Sequence, residues 1–209
     1  MLPYSIFLLL GIGAKAMFFR GTMCKSSIAS CDEVPGFKNL GGSCYAAIEV
    51  KDTYENAREA CKRLHPKADL ASIRCEKENA LVASFGKLHL EKHCNGYGYK
   101  TQHFTFLDDA WIGFNRTDPE SNGEWLNGVS SSYRKWNYGE PNNGLGARPE
   151  AATAMQIKGS WSLGYWNDMH IDDKMCGAIC EVIVKTSGGS CGSYNACAEP
   201  LTVPAVLLY

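Results

Sequence analysis

Ten cysteines in a chain of 209 residues constrain this fold more than any other feature. Reduced cytosolic domains rarely carry so many, whereas an even count suits disulfides formed in an oxidising compartment. A secreted, extracellular protein is therefore expected. The first residues agree: Tyr4 to Gly13 is a short apolar run, and Ala14-Lys15-Ala16 is a small-x-small pattern for cleavage after Ala16. Residues 1–16 read as a signal peptide and 17–30 as an N-terminal segment without clear periodicity. About ten apolar residues are too few to cross a bilayer, and no later stretch reaches the roughly 18 that a transmembrane helix needs. The 21 Lys and Arg nearly balance the 22 Asp and Glu, so no net field draws the chain to nucleic acid or an anionic membrane.

A domain is expected over residues 31–184, followed by a Gly/Ser- and Cys-containing tail over 185–209. Gly36-Phe37 through Cys44-Tyr45 reads as a hairpin turning at Gly41-Gly42. Asp52 and Glu55 are placed to cap a first helix whose Tyr54, Ala57, Ala60, Cys61 and Leu64 recur at helical spacing. A second helical pattern, with Leu81, Val82 and Phe85 apolar, is expected to end at Gly86. Residues 86–109 read as an inserted loop, Trp111-Ile112-Gly113-Phe114 as a buried strand and 177–184 as a closing strand.

The chemistry concentrates later. Glu140-Pro141-Asn142-Asn143, Glu150 and Trp166-Asn167-Asp168 place three carboxylates and several carboxamides within 29 residues. Hard oxygen of this kind suits calcium, which takes six to eight such ligands, while the absence of His and Cys from the stretch argues against zinc or copper. A proline between two ligands fixes the backbone, and a cis bond would turn both side chains toward one point. Trp166 can anchor the far end of the stretch in the core.

Taken in order, several motifs together resemble the C-type lectin family over residues 31–184. They are Gly-Gly-Ser-Cys44-Tyr45, the helix bearing Cys61, Leu70-Ala71-Ser72-Ile73, Trp111-Ile112-Gly113, Trp125, Glu140-Pro141-Asn142, Trp166-Asn167-Asp168 and Cys180-Glu181. The resemblance implies an α+β fold of two helices, small antiparallel sheets and a long calcium-binding loop. It also implies that Glu140, Asn142, Glu150, Asn167 and Asp168 bind both Ca2+ and sugar, with Asp168 adding its backbone carbonyl. Carboxylates accept and carboxamides donate, so each sugar hydroxyl can be satisfied in both senses. Glu-Pro-Asn is the family variant associated with mannose-type glycans, whose 3- and 4-hydroxyls are equatorial. The implied function is glycan or pathogen recognition, with several domains acting together for avidity. A module of the same scaffold that binds protein, lipid or mineral surfaces without sugar is the alternative.

An auxiliary metal site on Asp118, Asn122 and Asn143, shared with Glu150, is expected to be weak or empty, because Ala151 stands where an acid is usual. The resemblance pairs Cys61 with Cys180 and Cys31 with Cys44. Ala152 and approximately Ile171 occupy the positions of a bridge that normally pins the calcium loop. Cys24, Cys75, Cys94, Cys176, Cys191 and Cys197 remain, with 15 pairings open to them. Closeness suggests Cys191 with Cys197, and Cys75 could reach Cys94 or Cys176. Asn115-Arg116-Thr117 is the only N-glycosylation sequon. His89 and His93 lie four apart beside Cys94, but Leu90 stands where a zinc-protease pattern needs Glu, so they read as surface histidines. No nucleophile elbow, phosphate loop or dinucleotide fingerprint occurs, and a binding protein is expected, not an enzyme.

Overall fold

A computed structural model of the chain describes residues 27–94, 99–100, 105–116, 121–146, 148–184 and 197. The signal peptide, Cys24, Asp118, Cys191 and the tail apart from Cys197 lie outside the described residues. In chain order the elements are β1 (Ser27–Ile28), β2 (Lys38–Asn39), β3 (Cys44–Asp52), α1 (Tyr54–Leu64), β4 (Asp69–Leu70) and α2 (Glu76–Leu90). They continue as β5 (Tyr99–Lys100), β6 (Thr105–Ile112), β7 (Phe114–Asn115), β8 (Glu124–Trp125), β9 (Ala152–Met155), β10 (Trp166–Met169) and β11 (Lys174–Val184). This is the α+β architecture expected, and no described helix is long and apolar enough to cross a membrane.

Strand β11 organises the sheet. It pairs antiparallel with β3 (Cys180 opposite Ala46) and parallel with β6 (Ala178 opposite Trp111), while β1 lies parallel to its end. The main sheet runs β10-β9-β6-β11-β3-β2, and β7 and β8 form a separate two-stranded pair. From Met175 to Ile183 every residue of β11 is buried, the continuous pattern of a strand covered on both faces. The hairpin expected near Gly41-Gly42 is present, with Lys38 opposite Tyr45.

Three local expectations change. Asp52 is still in β3, where its carbonyl accepts the Trp111 indole N–H at 3.0 Å, so Thr53 is the N-cap of α1 and makes no side-chain capping bond. Gly86 does not end α2, which runs one more turn to Leu90; a Cβ there would lie 3.0 Å from Ile157 and 3.1 Å from Ile179, so the residue is small for packing. The strand read at Trp111 begins at Thr105, within the expected loop.

Among the described residues, four disulfides tie this frame. Cys31–Cys44 and Cys61–Cys180 form as the resemblance implied. Cys94 and Cys176 join each other, closing the end of α2 onto β11. Cys197 does not pair with its near neighbour Cys191: it bonds Cys75 at the start of α2, across a sequence separation of 122. Sequence proximity misleads here because Cys197 is bonded to a helix start laid down much earlier. Beneath the helices, the fully buried Glu181 accepts from Ser72 N–H (3.0 Å), Ser72 Oγ (2.6 Å), Asn127 (2.9 Å) and Arg74 (2.6 Å). Arg74 also pairs with buried Glu78, to which the Tyr45 hydroxyl donates. A buried charge is tolerated only when paired and hydrogen-bonded in this way.

Gly113 fixes the approach of β6 to β4. A Cβ at this position would sit 2.4 Å from the Leu70 carbonyl oxygen, and backbone cannot swing aside. Gly113→Ala is therefore expected to lower stability by about 1–3 kcal/mol, read as the midpoint shift in urea denaturation under oxidising conditions.

Candidate metal and ligand site

The site is built outward from Trp166. Its ring is fully buried and packs edge-on against Trp125, Tyr133 and Trp136, with centroids 5.7 to 5.8 Å apart. Its indole N–H donates to Asn79 Oδ1 at 2.8 Å. Its backbone grips the segment that carries the motif: Trp166 N–H donates to the Lys135 carbonyl and Asn137 N–H to the Trp166 carbonyl, each at 2.8 Å. Glu140 N–H then closes a turn onto Asn137 at 3.0 Å. A core tryptophan thus sets where Glu140 begins.

The Glu140-Pro141 bond is cis. Asn142 folds back on Glu140, its amide nitrogen 2.5 Å and its backbone N–H 3.2 Å from Oε2. Asn167 faces the same carboxylate, its terminal amide atom 2.8 Å from Oε1 and 3.0 Å from Oε2. With nitrogen toward Glu140, the amide donates to both carboxylate oxygens; with oxygen toward it, acceptors converge, and a cation or a proton on Glu140 satisfies them. Asp168, next along β10, is buried and accepts from Asn142 N–H at 3.0 Å and Asn143 N–H at 2.9 Å. Glu150 accepts from Gly144 N–H at 2.7 Å, and its own N–H donates to Asn143 Oδ1 at 2.9 Å. Five residues expected as ligands are thereby gathered around one loop. Among the described residues, however, Glu140, Glu150 and Asp168 do not bring three carboxylate oxygens within 4.8 Å of one another. The one group that does meet this spacing, Cys75, Cys197 and Glu78, offers no thiolate because its sulfurs are bonded together.

Like charges crowd the site. Burial, reinforced by a hydrogen bond and the charge of Asp168, pushes Glu140 up to about 7. Burial and the charges of Asp168 and Glu140 likewise push Glu150 up to about 7, against the pull of the Gly144 N–H.

Two arginines that the sequence reading passed over complete the site. Arg116 is buried behind the loop and donates Nη2 to Asp168 Oδ2. Asn115, the acceptor of the sequon that contains Arg116, is a half-buried residue of β7. A cationic residue directly after a buried strand, with an excess of carboxylates later in the chain, was the available signal. Arg148 reaches Asp173 at 2.5 Å, and the Asp173 side chain is only 2% exposed. This pair ties the loop to the turn before β11, beside Ala152 and Ile171, where the pinning disulfide has no cysteines. Of the auxiliary residues, Asp118 lies outside the described residues and Asn143 directs Oδ1 at Glu150 N–H. Asn122 offers its carbonyl to Arg134 at 3.3 Å.

A family model described as "Lectin C-type domain" matches residues 50–182. A C-type lectin of Micrurus corallinus is 31% identical over 116 residues, covering 55% of this chain and 65% of the relative. The structure is similar to that of CEL-IV, with TM-score 0.58 and 24% identity over 77% of this chain and 99% of the other. It is also similar to the cow CD23 carbohydrate-recognition domain solved in the presence of a GlcNAc2Man3 oligosaccharide, with TM-score 0.54 and 22% identity over 73% and 96%. A calcium-independent type II antifreeze protein shares the fold at TM-score 0.52 and 19% identity, over 72% and 94%.

The crowded carboxylates have a measurable consequence. Glu78, Asp109, Glu140 and Glu150 are all raised to about 7, in each case chiefly by burial. A carboxyl whose folded pKa exceeds its unfolded value contributes stability at low pH and loses that contribution as pH rises through the folded value. In chelator, the denaturation midpoint is expected to fall between pH 5 and pH 8, and Glu150→Gln to flatten the decline.

Proposed function

We propose that this chain, which belongs to the C-type lectin domain family, is a secreted calcium-dependent lectin for mannose-type glycans. The observation that carries the reading is the meeting of Asn167 with both oxygens of Glu140, on the residue set Glu140, Asn142, Glu150, Asn167 and Asp168. A cation at this point would be held by hard oxygen only, the donor chemistry of calcium. Calcium, when bound, would lend open coordination positions to two adjacent sugar hydroxyls. Charge also fits: three carboxylates against one guanidinium leave two negative charges, the match of a single divalent ion. Arg116 then supplies beside Asp168 the positive charge that a second ion would bring, and supports reading the auxiliary site as empty.

The chain's own residues do the reading of the sugar. Glu140 accepts a hydrogen bond from one hydroxyl, and the Asn142 amide donates to it; Asn167 donates from the opposite side of the same pair. Acid before proline and amide after it sets which hydroxyl geometry is satisfied, and this order favours equatorial 3- and 4-hydroxyls. Each site holds little sugar surface, so single contacts are weak and clustered domains supply the avidity needed in glycan or pathogen recognition.

One observation favours a second reading. Glu140, Asn142 and Asn167 can satisfy one another, and Asp168 already holds two N–H groups and a guanidinium. Such a closed network suits a module that binds protein, lipid or mineral surfaces without sugar. Elution from a mannose column separates the two: EDTA is expected to release the protein, and calorimetry to register one Ca2+ per chain. Asn142→Asp is expected to weaken mannose binding by roughly tenfold or more, since it replaces a donor by a charged acceptor. Passage through the mannose column without retention, with no heat from Ca2+, would establish the second reading.

A further inference from the structure

Beside Pro141 the surface opens into a groove of about 550 Å3, lined by Phe114, Trp136, Ser131 and the guanidinium groups of Arg116 and Arg134. Its size lies within the roughly 300–1,000 Å3 range of small-ligand clefts. No carboxylate is among the described lining residues. Because Pro141 stands between Glu140 and Asn142, the groove and the proposed sugar site share a wall, and Arg116 touches both.

Arg116 is engaged by Asp168, but Arg134 has no acid partner among the described residues. Burial lowers its pKa. Its guanidinium lies 3.8 Å from the Phe114 ring centre and 5.8 Å from that of Trp125. Nη1 donates to the carbonyls of Ser131 and Tyr133 at 2.8 Å, and Nη2 to that of Asn122 at 3.3 Å. A guanidinium has five N–H donors, so two are left over after these three bonds. Rings and carbonyls hold the fork rigidly, a pre-organised arrangement that suits a planar or tetrahedral oxyanion.

We propose that this groove is a subsite for an anionic substituent, a sulfate ester or a carboxylate, on the glycan whose hydroxyls are read by Glu140 and Asn142. The proposal rests on the lectin reading and narrows it to acidic glycans. Arg134 binds the oxyanion with its two remaining N–H groups, and Arg116 adds charge from the opposite wall.

The test titrates the mature chain in Ca2+ with a neutral mannoside, its sulfate esters, and an oligosaccharide carrying mannose next to glucuronate. At least one acidic ligand is expected to bind about tenfold tighter than the neutral one, an advantage that shrinks with added salt. Inorganic sulfate should compete with that acidic ligand and leave the neutral mannoside untouched. Arg134→Met should erase the advantage and keep neutral binding within about twofold, while Arg134→Lys keeps part of it. Equal affinity for neutral and acidic ligands in the unmodified protein, or an advantage that survives Arg134→Met, overturns the subsite. Salt dependence and sulfate competition decide the matter on the unmodified chain should the methionine variant misfold. Failure of the lectin reading looks different, because the neutral mannoside itself would then bind independently of calcium or not at all.

Discussion

The carboxylate of Asp168 is the point at which the fold and the site become one structure. It is buried at the centre of β10, and it accepts two backbone N–H groups of the loop and the guanidinium of Arg116. Removing it would leave those donors unpaired away from water, a cost of about 1–3 kcal/mol for each neutral group and more for the cation. The loop from Glu140 to Glu150 has almost no regular structure of its own, beyond a single 3-10 turn at Asn143–Gly146. Its shape comes from what it is bonded to. Hydrogen bonds to an ionised acceptor are about twice as strong as neutral ones, which lets one side chain organise so long a segment.

Trp166 supplies the mechanical half of the same arrangement. Alternation along β10 sends Trp166 into the aromatic cluster and leaves Asn167 half-exposed beside Glu140. Ligand geometry is thereby referred to the most rigid part of the molecule, the packed core, and not to the loop. Disulfides extend the principle, since Cys61–Cys180 and Cys94–Cys176 both end on β11, the strand that also neighbours β6.

Much of this was legible in the sequence. Trp111-Ile112-Gly113 read as a buried strand because its apolar run is continuous, and Gly113 proved necessary because Leu70 backbone lies against it. The Glu140 and Asn167 clusters stood out because oxygen ligands of one chemical type were dense in a segment without periodicity. What escaped notice was pairing over long separations. Arg116 with Asp168, Arg148 with Asp173 and Cys75 with Cys197 each join residues whose local context gives no hint of a partner. Helix ends were also misplaced: Gly86 has the residue type of a cap, but Ile157 and Ile179, far along the chain, decide its role. Local rules see turns and periods; tertiary neighbours choose among the roles that a residue type allows.

The Arg148–Asp173 pair holds the loop where relatives would use sulfur. A covalent staple answers to thiols, whereas an ion pair with its carboxylate buried does not. Reducing agents that slacken a cystine-pinned loop would leave this fastening closed. The chain has thus freed the fastening of its longest irregular segment from the redox conditions of its surroundings.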